Sequence, residues 1–344
     1  MRRIVFFVVA FCFVVVIVLP SLIALRGCSL TVPPAPPLAS SPEISVYVEA
    51  QKKIVKMPLE QYLLGVVAAE MPASFALEAL KAQAVAARTF ALKRMRAFGG
   101  QGCPEHPGAD VCTDHRHCQA WKSADDMRRM WGYFEFIPYY YKVSQAVKAT
   151  EGYVITYQGK LIDAAYHSNC GGATDDAADV WSAPVPYLRG KPCNFHMGSQ
   201  VFREQKAFSL EELERRLGVS FAVRKVMTQR VNGRTVDVIS RVPMAGLVDV
   251  IAQSPQGRVK TIRIGDKIFN GADLRDKLGL RSTRLSWRIS GNEVLIQTTG
   301  YGHGVGMCQY GADGMARQGK SFEDILKYYY TGVEVVRLTT GVER

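Results

Sequence analysis

The sequence predicts a mixed α/β (α+β) domain preceded by a single N-terminal transmembrane helix. Three observations carry this: a long uncharged apolar run at the start, helical spacing of apolar residues through the first third, and alternating segments gathered towards the end. The strand and helix signals do not alternate regularly, as a doubly wound sheet would require. With 344 residues, 48% hydrophobic and 22% charged, the chain is long enough to bury a substantial core.

The first segment, "IVFFVVAFCFVVVIVLPSLIAL" at 4–25, is uncharged throughout and long enough to span a bilayer. A cleaved signal peptide has a shorter apolar run and a small-x-small site, so the expectation is an uncleaved anchor over residues 1–26. Arg2 and Arg3 on the N-terminal side, against Arg26 on the other, orient the N-terminus to the cytoplasm and the remainder outside. Residues 27–43, with prolines at 33, 34, 36, 37 and 42, read as a semi-rigid linker, because proline fixes φ and removes a donor. From residue 44 to 344 an extracytoplasmic domain is expected. Beyond Gly27 the net charge is +9, which suits an anionic surface such as a membrane or cell wall, and a location outside the membrane argues against nucleic acid.

Within that domain "ISVYVEA" and "KKIVKM" alternate about a turn and predict a β-hairpin. "PLEQYLLGVVAAEM" predicts a helix with Pro58 in its first turn, and "ALEALKAQAVAARTFALKRMRAFGG" a long Ala-rich helix stopped by Gly99 and Gly100. A Cys/His loop and an aromatic insertion, "MWGYFEFIPYYY", follow, then a helix end, a hairpin and a Gly-rich turn through "AVKATEGYVITYQGKLIDAAYHSNCGGAT". "SLEELERRLG" and "GADLRDKLG" predict short helices among the strands "GLVDVIAQ", "VKTIRIGDKIF" and "NEVLIQTT". The chain closes with the glycine-rich "GYGHGVGMCQYGADGMARQG" and a helix at "SFEDILKYYYTG".

Glu70 is the only charged residue in "GVVAAEMPASFAL", at a helix end where Met71-Pro72 turns the chain. A carboxyl in apolar surroundings has its pKa raised, which makes it a usable general acid near neutral pH; the plainer reading is a carboxylate reaching solvent or a base such as Arg88. The stretch "HPGADVCTDHRHC" offers His106, Cys112, His115, His117 and Cys118, donors that suit a closed tetrahedral zinc site; a Cys112–Cys118 disulfide in an oxidising compartment competes. Cys170 and Cys193 are expected to form a disulfide, and Cys103 and Cys308 are unassigned. In "GYGHGVGMC" the glycines run G-x-G-x-G, not the dinucleotide-binding G-x-G-x-x-G, so they read as close backbone approach, with His303 at the crossing.

Three segments, "MPLEQYLLGVVAAEMPASFALEALKAQAVAARTFAL", "YHSNCGGATDDAADVW" and "GYGHGVGMCQYGADGMARQGKSFEDILKYYYTGVEV", resemble the stage II sporulation protein D family of membrane-anchored lytic transglycosylases. The resemblance implies two mixed α/β lobes forming a cleft for peptidoglycan glycan strands, with the catalytic glutamate at Glu70 and Arg88 at a position important for activity. It implies a structural zinc on His106, Cys112, His117 and Cys118, which selects His117 over His115, and no cofactor for the chemistry. Tyr166, His167, Ser168, Thr174, His303 and Gln309 are the candidates for sugar contacts. The implied product is a 1,6-anhydro sugar, formed from strands expected to be stripped of stem peptides, with a membrane-bound amidase and scaffold (stage II sporulation proteins P and M) as partners. The same family resembles amidase enhancers, so a wall-binding activator without activity is the alternative; a zinc hydrolase using the Cys/His loop is a third reading. Cys170 and Cys308 stand where serine is common in the family.

Overall fold

The computed structural model describes residues 41–181, 183–195, 202–231, 234–243, 248–290 and 293–338, together with residue 15 alone. Residue 15 apart, the predicted anchor and nearly all of the Pro-rich linker lie outside the described residues. Among the described residues no helix is long and apolar enough to cross a membrane. Ser41 to Arg344 forms one compact unit, mixed α/β in composition.

The predicted hairpin is present as β1 (Glu43–Val48) and β2 (Lys53–Pro58), antiparallel, with Lys52 in the left-handed region at its turn. A two-residue strand, β3 (Val111–Cys112), adds parallel to β1 and brings the Cys/His loop onto this sheet. Helix α1 (Leu59–Glu70) ends where Met71 becomes extended, the conformation that a following proline imposes. Helix α2 (Leu77–Arg94) is the centre of the first core, packed by α1, by three later helices and by strand β4 (Tyr153–Tyr157). Its alanines make this possible: Ala79, Ala82, Ala84, Ala86, Ala87 and Ala91 are buried on all sides, so neighbours approach the backbone closely.

Helix α2 stops at Arg94, earlier than Gly99 and Gly100 suggested. Met95 turns extended, and Arg96–Phe98 forms a 3-10 turn capped by Gly99. The aromatic insertion is itself helical. Helix α3 (Ala124–Ala149) is opened by a Ser123/Asp126 capping box and kinked at Gly132. Its outer face carries exposed Tyr133, Phe134 and Tyr141, which broke the apolar periodicity that a buried stripe would have displayed.

The chain continues through β5 (Lys160–Leu161), β6 (Tyr166–His167) and α4 (Ala177–Trp181). A second hydrophobic core then forms, from Phe208, Leu213, Ile262, Leu274, Val294, Ile296 and their neighbours. It is built from β7 (Arg203–Ser209) and α5 (Leu210–Leu217) and, after a two-stranded hairpin of β8 (Ala222–Val231) and β9 (Arg234–Pro243), from the sheet β10 (Val248–Gln253), β11 (Val259–Ile264), β12 (Lys267–Asn270), helix α6 (Gly271–Leu278), and β13 (Leu285–Ser290) with β14 (Glu293–Thr299). Strand β14 is central in the order β13-β14-β7. Of the expected fold the mixed α/β class is present, with this core inside the single compact unit of Ser41 to Arg344. The chain then returns to the first core through β15 (Met307–Cys308), α7 (Gln309–Arg317), α8 (Phe322–Tyr329) and β16 (Glu334–Arg337), which pairs with β4.

Candidate active site

Glu70 is the last residue of α1, where the helix leaves carbonyl groups without intrahelical partners, an environment unfavourable to an anion. Burial pushes its pKa up to about 7, against hydrogen bonds from the Ala120 N–H, Gln309 and Tyr166, which pull it down. The Ala120 N–H donates to Glu70 Oε1 at 2.8 Å. Three separate parts of the sequence therefore converge on one carboxyl.

Each donor is positioned by its own element. Strand β15 runs parallel to β6, pairing Met307 with Tyr166 and Cys308 with His167, which sets Gln309 at the start of α7 beside Tyr166. The Tyr166 hydroxyl accepts from Gln119 Nε2 at 2.8 Å, and the buried Tyr62 hydroxyl donates to Gln119 Oε1 at 3.2 Å. Burial keeps Tyr166 and Tyr62 protonated well above the usual phenol range, so the Tyr166 O–H remains available to Glu70. Gln309 Nε2 donates to Gln83 Oε1 of α2 at 3.2 Å, while Gln83 Nε2 is buried without a hydrogen-bond partner. Gln83, Gln119, Tyr62 and the Ala120 amide carried no sequence signal, because isolated Gln and Tyr residues in helices and loops have no distinguishing pattern.

Ala120 follows directly on the Cys/His loop. In that loop the Asp114 carbonyl accepts from the amides of His117 and Cys118, a tight turn that leaves His117 exposed and Cys118 half-buried. His106, Cys112 and His117 offer ligand atoms within 4.8 Å of one another, and so do Cys103, Cys112 and Cys118. The expected four ligands are thus divided between two sets that share Cys112, and Cys103 joins them. The Cys103 and Cys118 sulfurs stand 3.8 Å apart, the separation of two thiolates bound at about 2.3 Å to one tetrahedral zinc. His106 stacks on Tyr47 with centroids 3.8 Å apart, and its Nε2 lies 3.1 Å from Glu49 Oε1 without the geometry of a hydrogen bond. This donor set fits a soft divalent ion. His115 points away and is 76% exposed. Beyond the loop, the Lys122 N–H donates to Gly65 O at 3.1 Å and the Trp121 ring covers Gly65, where a Cβ would lie 2.2 Å from the indole nitrogen. The loop is in this way stitched along α1 up to Glu70.

The other predicted contact residues lie elsewhere. Arg88 does not face Glu70: it is buried in a two-pronged ion pair with Glu60, 2.7 Å from Nε to Oε1 and 2.5 Å from Nη2 to Oε2, and donates to the carbonyls of Tyr153 and Val147. Both Glu60 and Glu70 lie on the preceding helix, so its sequence position left the partner undecided. Thr174 is buried and exchanges hydrogen bonds with Lys191, so it does not offer its hydroxyl to a sugar. His167 is buried with Nδ1 on the Val305 carbonyl at 3.1 Å. His303 spends both ring nitrogens on backbone, Nε2 on the Tyr166 carbonyl at 2.9 Å and Nδ1 accepting from the Val305 amide at 3.1 Å. Burial lowers its pKa to about 4, so it is neutral. Ser168 is half-buried on the same segment. Cys170 and Cys193 stand as thiols, not as the expected disulfide.

The glycine-rich segment is a close backbone crossing, as its composition implied. At Gly304, in the left-handed region, a Cβ would lie 2.3 Å from the Arg258 guanidinium, and at Gly306 one would lie 2.1 Å from the Ala165 carbonyl. Arg258 is itself buried against Asp175, Nε to Oδ2 2.6 Å, and donates to Ser282, Gly302 and Cys170.

A family model described as "Stage II sporulation protein" (SpoIID) matches residues 47–157, which include Glu70, Arg88 and the Cys/His loop. Stage II sporulation protein D of Bacillus subtilis (strain 168) is 35% identical over 297 residues, covering 86% of this chain and 80% of that protein. The Bacillus amyloliquefaciens protein of the same name is 36% identical over 301 residues, covering 87% and 80%. An amidase enhancer of Bacillus subtilis is 30% identical over 304 residues, covering 78% of this chain and 39% of that protein. With identity of this extent over most of the chain, the chain belongs to the stage II sporulation protein D family of sporulation proteins.

Proposed function

We propose that the chain is a peptidoglycan lytic transglycosylase that cleaves the bond between N-acetylmuramic acid and N-acetylglucosamine, with Glu70 as its single acid and base. The observation that carries this is the setting of Glu70. Burial, the Ala120 amide, Gln309 and Tyr166 are the chief influences on its carboxyl, with no second carboxylate among them. A hydrolase of the usual kind needs two carboxylates flanking the bond, one for the acid and one for the nucleophile or base. An intramolecular transfer needs one.

In the first half of the reaction Glu70 gives its proton to the bridging oxygen as the bond from the muramoyl C1 breaks. The carboxylate so formed is held by the Ala120 N–H, the Tyr166 hydroxyl and Gln309, donors that favour the ionised form. In the second half the muramoyl C6 hydroxyl oxygen closes onto C1, and its proton returns to Glu70. The products are a 1,6-anhydro end and a free C4 hydroxyl, and no water is consumed. A carboxyl with a pKa of about 7 is suited to both steps at neutral pH.

His106, Cys112, His117 and Cys118 would hold a zinc ion, with Cys103 in the same group of donors. Bound there, the ion would cross-link the loop and take no part in the reaction. The loop's own contribution is to carry Gln119 and Ala120, the next two residues, to Tyr166 and Glu70. The apolar segment 4–25 would tether the domain outside the cytoplasmic membrane, with the N-terminus cytoplasmic and the Pro-rich linker as spacer. In sporulation the protein would work on peptide-stripped strands during septal wall remodelling, beside a membrane-bound amidase and scaffold such as stage II sporulation proteins P and M.

The similarity to an amidase enhancer favours one second reading, a wall-binding activator without activity. Mass spectrometry of glycan strands incubated with the chain separates the two. Anhydro ends that vanish in Glu70→Gln support the transglycosylase; unchanged glycans with wild-type protein support the activator. Anhydro product undiminished in Glu70→Gln sinks the assignment of Glu70.

A further inference from the structure

Cys170, Cys193 and Cys308 are far apart in sequence, and the reaction uses none of them. The fold brings them together beneath the β6–β15 pair. Cys170 is four residues past Tyr166 on the segment that follows β6, Cys193 follows the bridge between Ala173 and Pro192, and Cys308 ends β15. All three are buried thiols. A ring nitrogen of His167 and the sulfurs of Cys170 and Cys308 lie within 4.8 Å of one another. The Cys193 sulfur lies outside that set of three but interacts with both other sulfurs, and it stands 3.0 Å from the Tyr329 hydroxyl.

Three details mark these side chains as donors for a ligand. His167 is 4% exposed, its Nδ1 bonded to the Val305 carbonyl, and its Nε2 is buried with no hydrogen-bond partner. A histidine whose Nδ1–H is fixed on a carbonyl presents the lone pair of Nε2, the arrangement found behind metal-bound imidazoles. The Cys308 sulfur receives two backbone amides, from Cys170 and Gly311, each at 3.3 Å. Its own S–H lies on the Ser168 carbonyl at 3.7 Å, so the sulfur accepts from two amides while donating to one carbonyl. Gly311 also leaves room for the group: a Cβ there would lie 2.5 Å from the Cys193 sulfur and 2.1 Å from the Tyr329 hydroxyl.

We infer that Cys170, Cys193, Cys308 and His167 form a second, closed metal site, separate from the Cys/His loop, that takes one zinc ion in a three-sulfur, one-nitrogen tetrahedron. That donor set is a familiar structural zinc set and leaves no open position for water. Binding releases the thiol protons and involves no oxidant. Three thiolates on a divalent ion leave one net negative charge, and the Arg258 guanidinium, on the Cys170 carbonyl at 3.1 Å, lies next to it. The ion ties together the segment after Tyr166, the 193 loop and the residue before Gln309. It thus fixes two of the three groups on Glu70 without touching the reaction.

The test is metal content per chain. The full chain is purified anaerobically with zinc, and bound zinc is measured beside non-reducing peptide maps. Cys170→Ser/Cys308→Ser, which replaces each buried sulfur by a smaller oxygen with the same donor and acceptor capacity, is expected to fold and to bind one zinc fewer than wild type. His167→Gln, which leaves every thiol in place, is expected to lose the same ion. Cys112→Ser removes a donor shared by both sets of the Cys/His loop and reports on that site independently. A disulfide between any two of Cys170, Cys193 and Cys308 in the wild-type map overturns the inference. So does a zinc count that is unchanged in both the double-serine and the His167→Gln chains. Should the double-serine chain not fold, His167→Gln alone decides.

Discussion

Glu70 shows how one residue's surroundings fix both its reactivity and its cost. Its folded pKa of about 7 lies above the ordinary carboxylate value of 4.5. The neutral carboxyl therefore favours the fold fully below pH 4.5, and this contribution is lost as the pH rises through 7. Glu70→Gln, neutral at every pH, is expected to gain on wild type by about 2–3 kcal/mol more at pH 8 than at pH 5. Thermal melts at the two pH values check this; an equal difference at both would mean that the carboxyl titrates as in water. The transglycosylase rate, which needs protonated Glu70, is expected to fall above pH 7 for the same reason. Arg88 illustrates the opposite case. Its charge is spent on buried Glu60, and the pair ties α2 to α1. Sequence alone made Glu70 conspicuous as the only charge in an apolar stretch. It gave no means of telling whether Arg88 met Glu60 or Glu70, because both acids lie on the preceding helix.

At the scale of elements, α1 and the Cys/His loop act as one part. The loop is fastened at its start by its thiols and imidazoles and at its end by Trp121 and Lys122 on Gly65, with Ala120 between. Gly65→Ala places a methyl against the Trp121 ring and the Lys122 carbonyl, at 2.2 and 2.7 Å. It is expected to destabilise the fold by about 1–3 kcal/mol and, by lifting Ala120 from Glu70, to lower anhydro product more than tenfold. Calorimetry and glycan analysis together check it; full activity would separate the loop from the acid. His117→Ala is expected to lower metal content and melting temperature, whereas His115→Ala, altering an exposed ring, leaves both unchanged; elemental analysis and melts distinguish them. The hairpin, α1, and the short helices of the second core were legible because their period, caps and turn residues agree. Helix α3 was not, since its aromatic residues face outward around a glycine kink and so present no helical stripe.

Across the whole molecule, the two cores meet at the buried Asp175–Arg258 pair, which the crossing glycines surround. Arg258→Ala leaves Asp175 buried without its counter-charge, a change expected to cost about 3–5 kcal/mol. Because Arg258 also holds the Gly302 carbonyl, the segment leading to Gln309 should loosen, and hydrogen exchange at residues 302–309 is expected to rise at least as much as in the second core. Protection unchanged at 302–309 would refute that link. The sequence by itself determined the fold class, the isolated acid, the close approach at the glycines and the family, because each depends on local composition, spacing or a motif. The tertiary structure decided the rest: Tyr166, Gln309 and Ala120 on Glu70, Arg88 on Glu60, Cys103 among the loop donors, and three distant cysteines gathered with His167. Those contacts join residues tens to hundreds of positions apart, and a buried polar atom must find a partner wherever the packing leaves one, which no local pattern records.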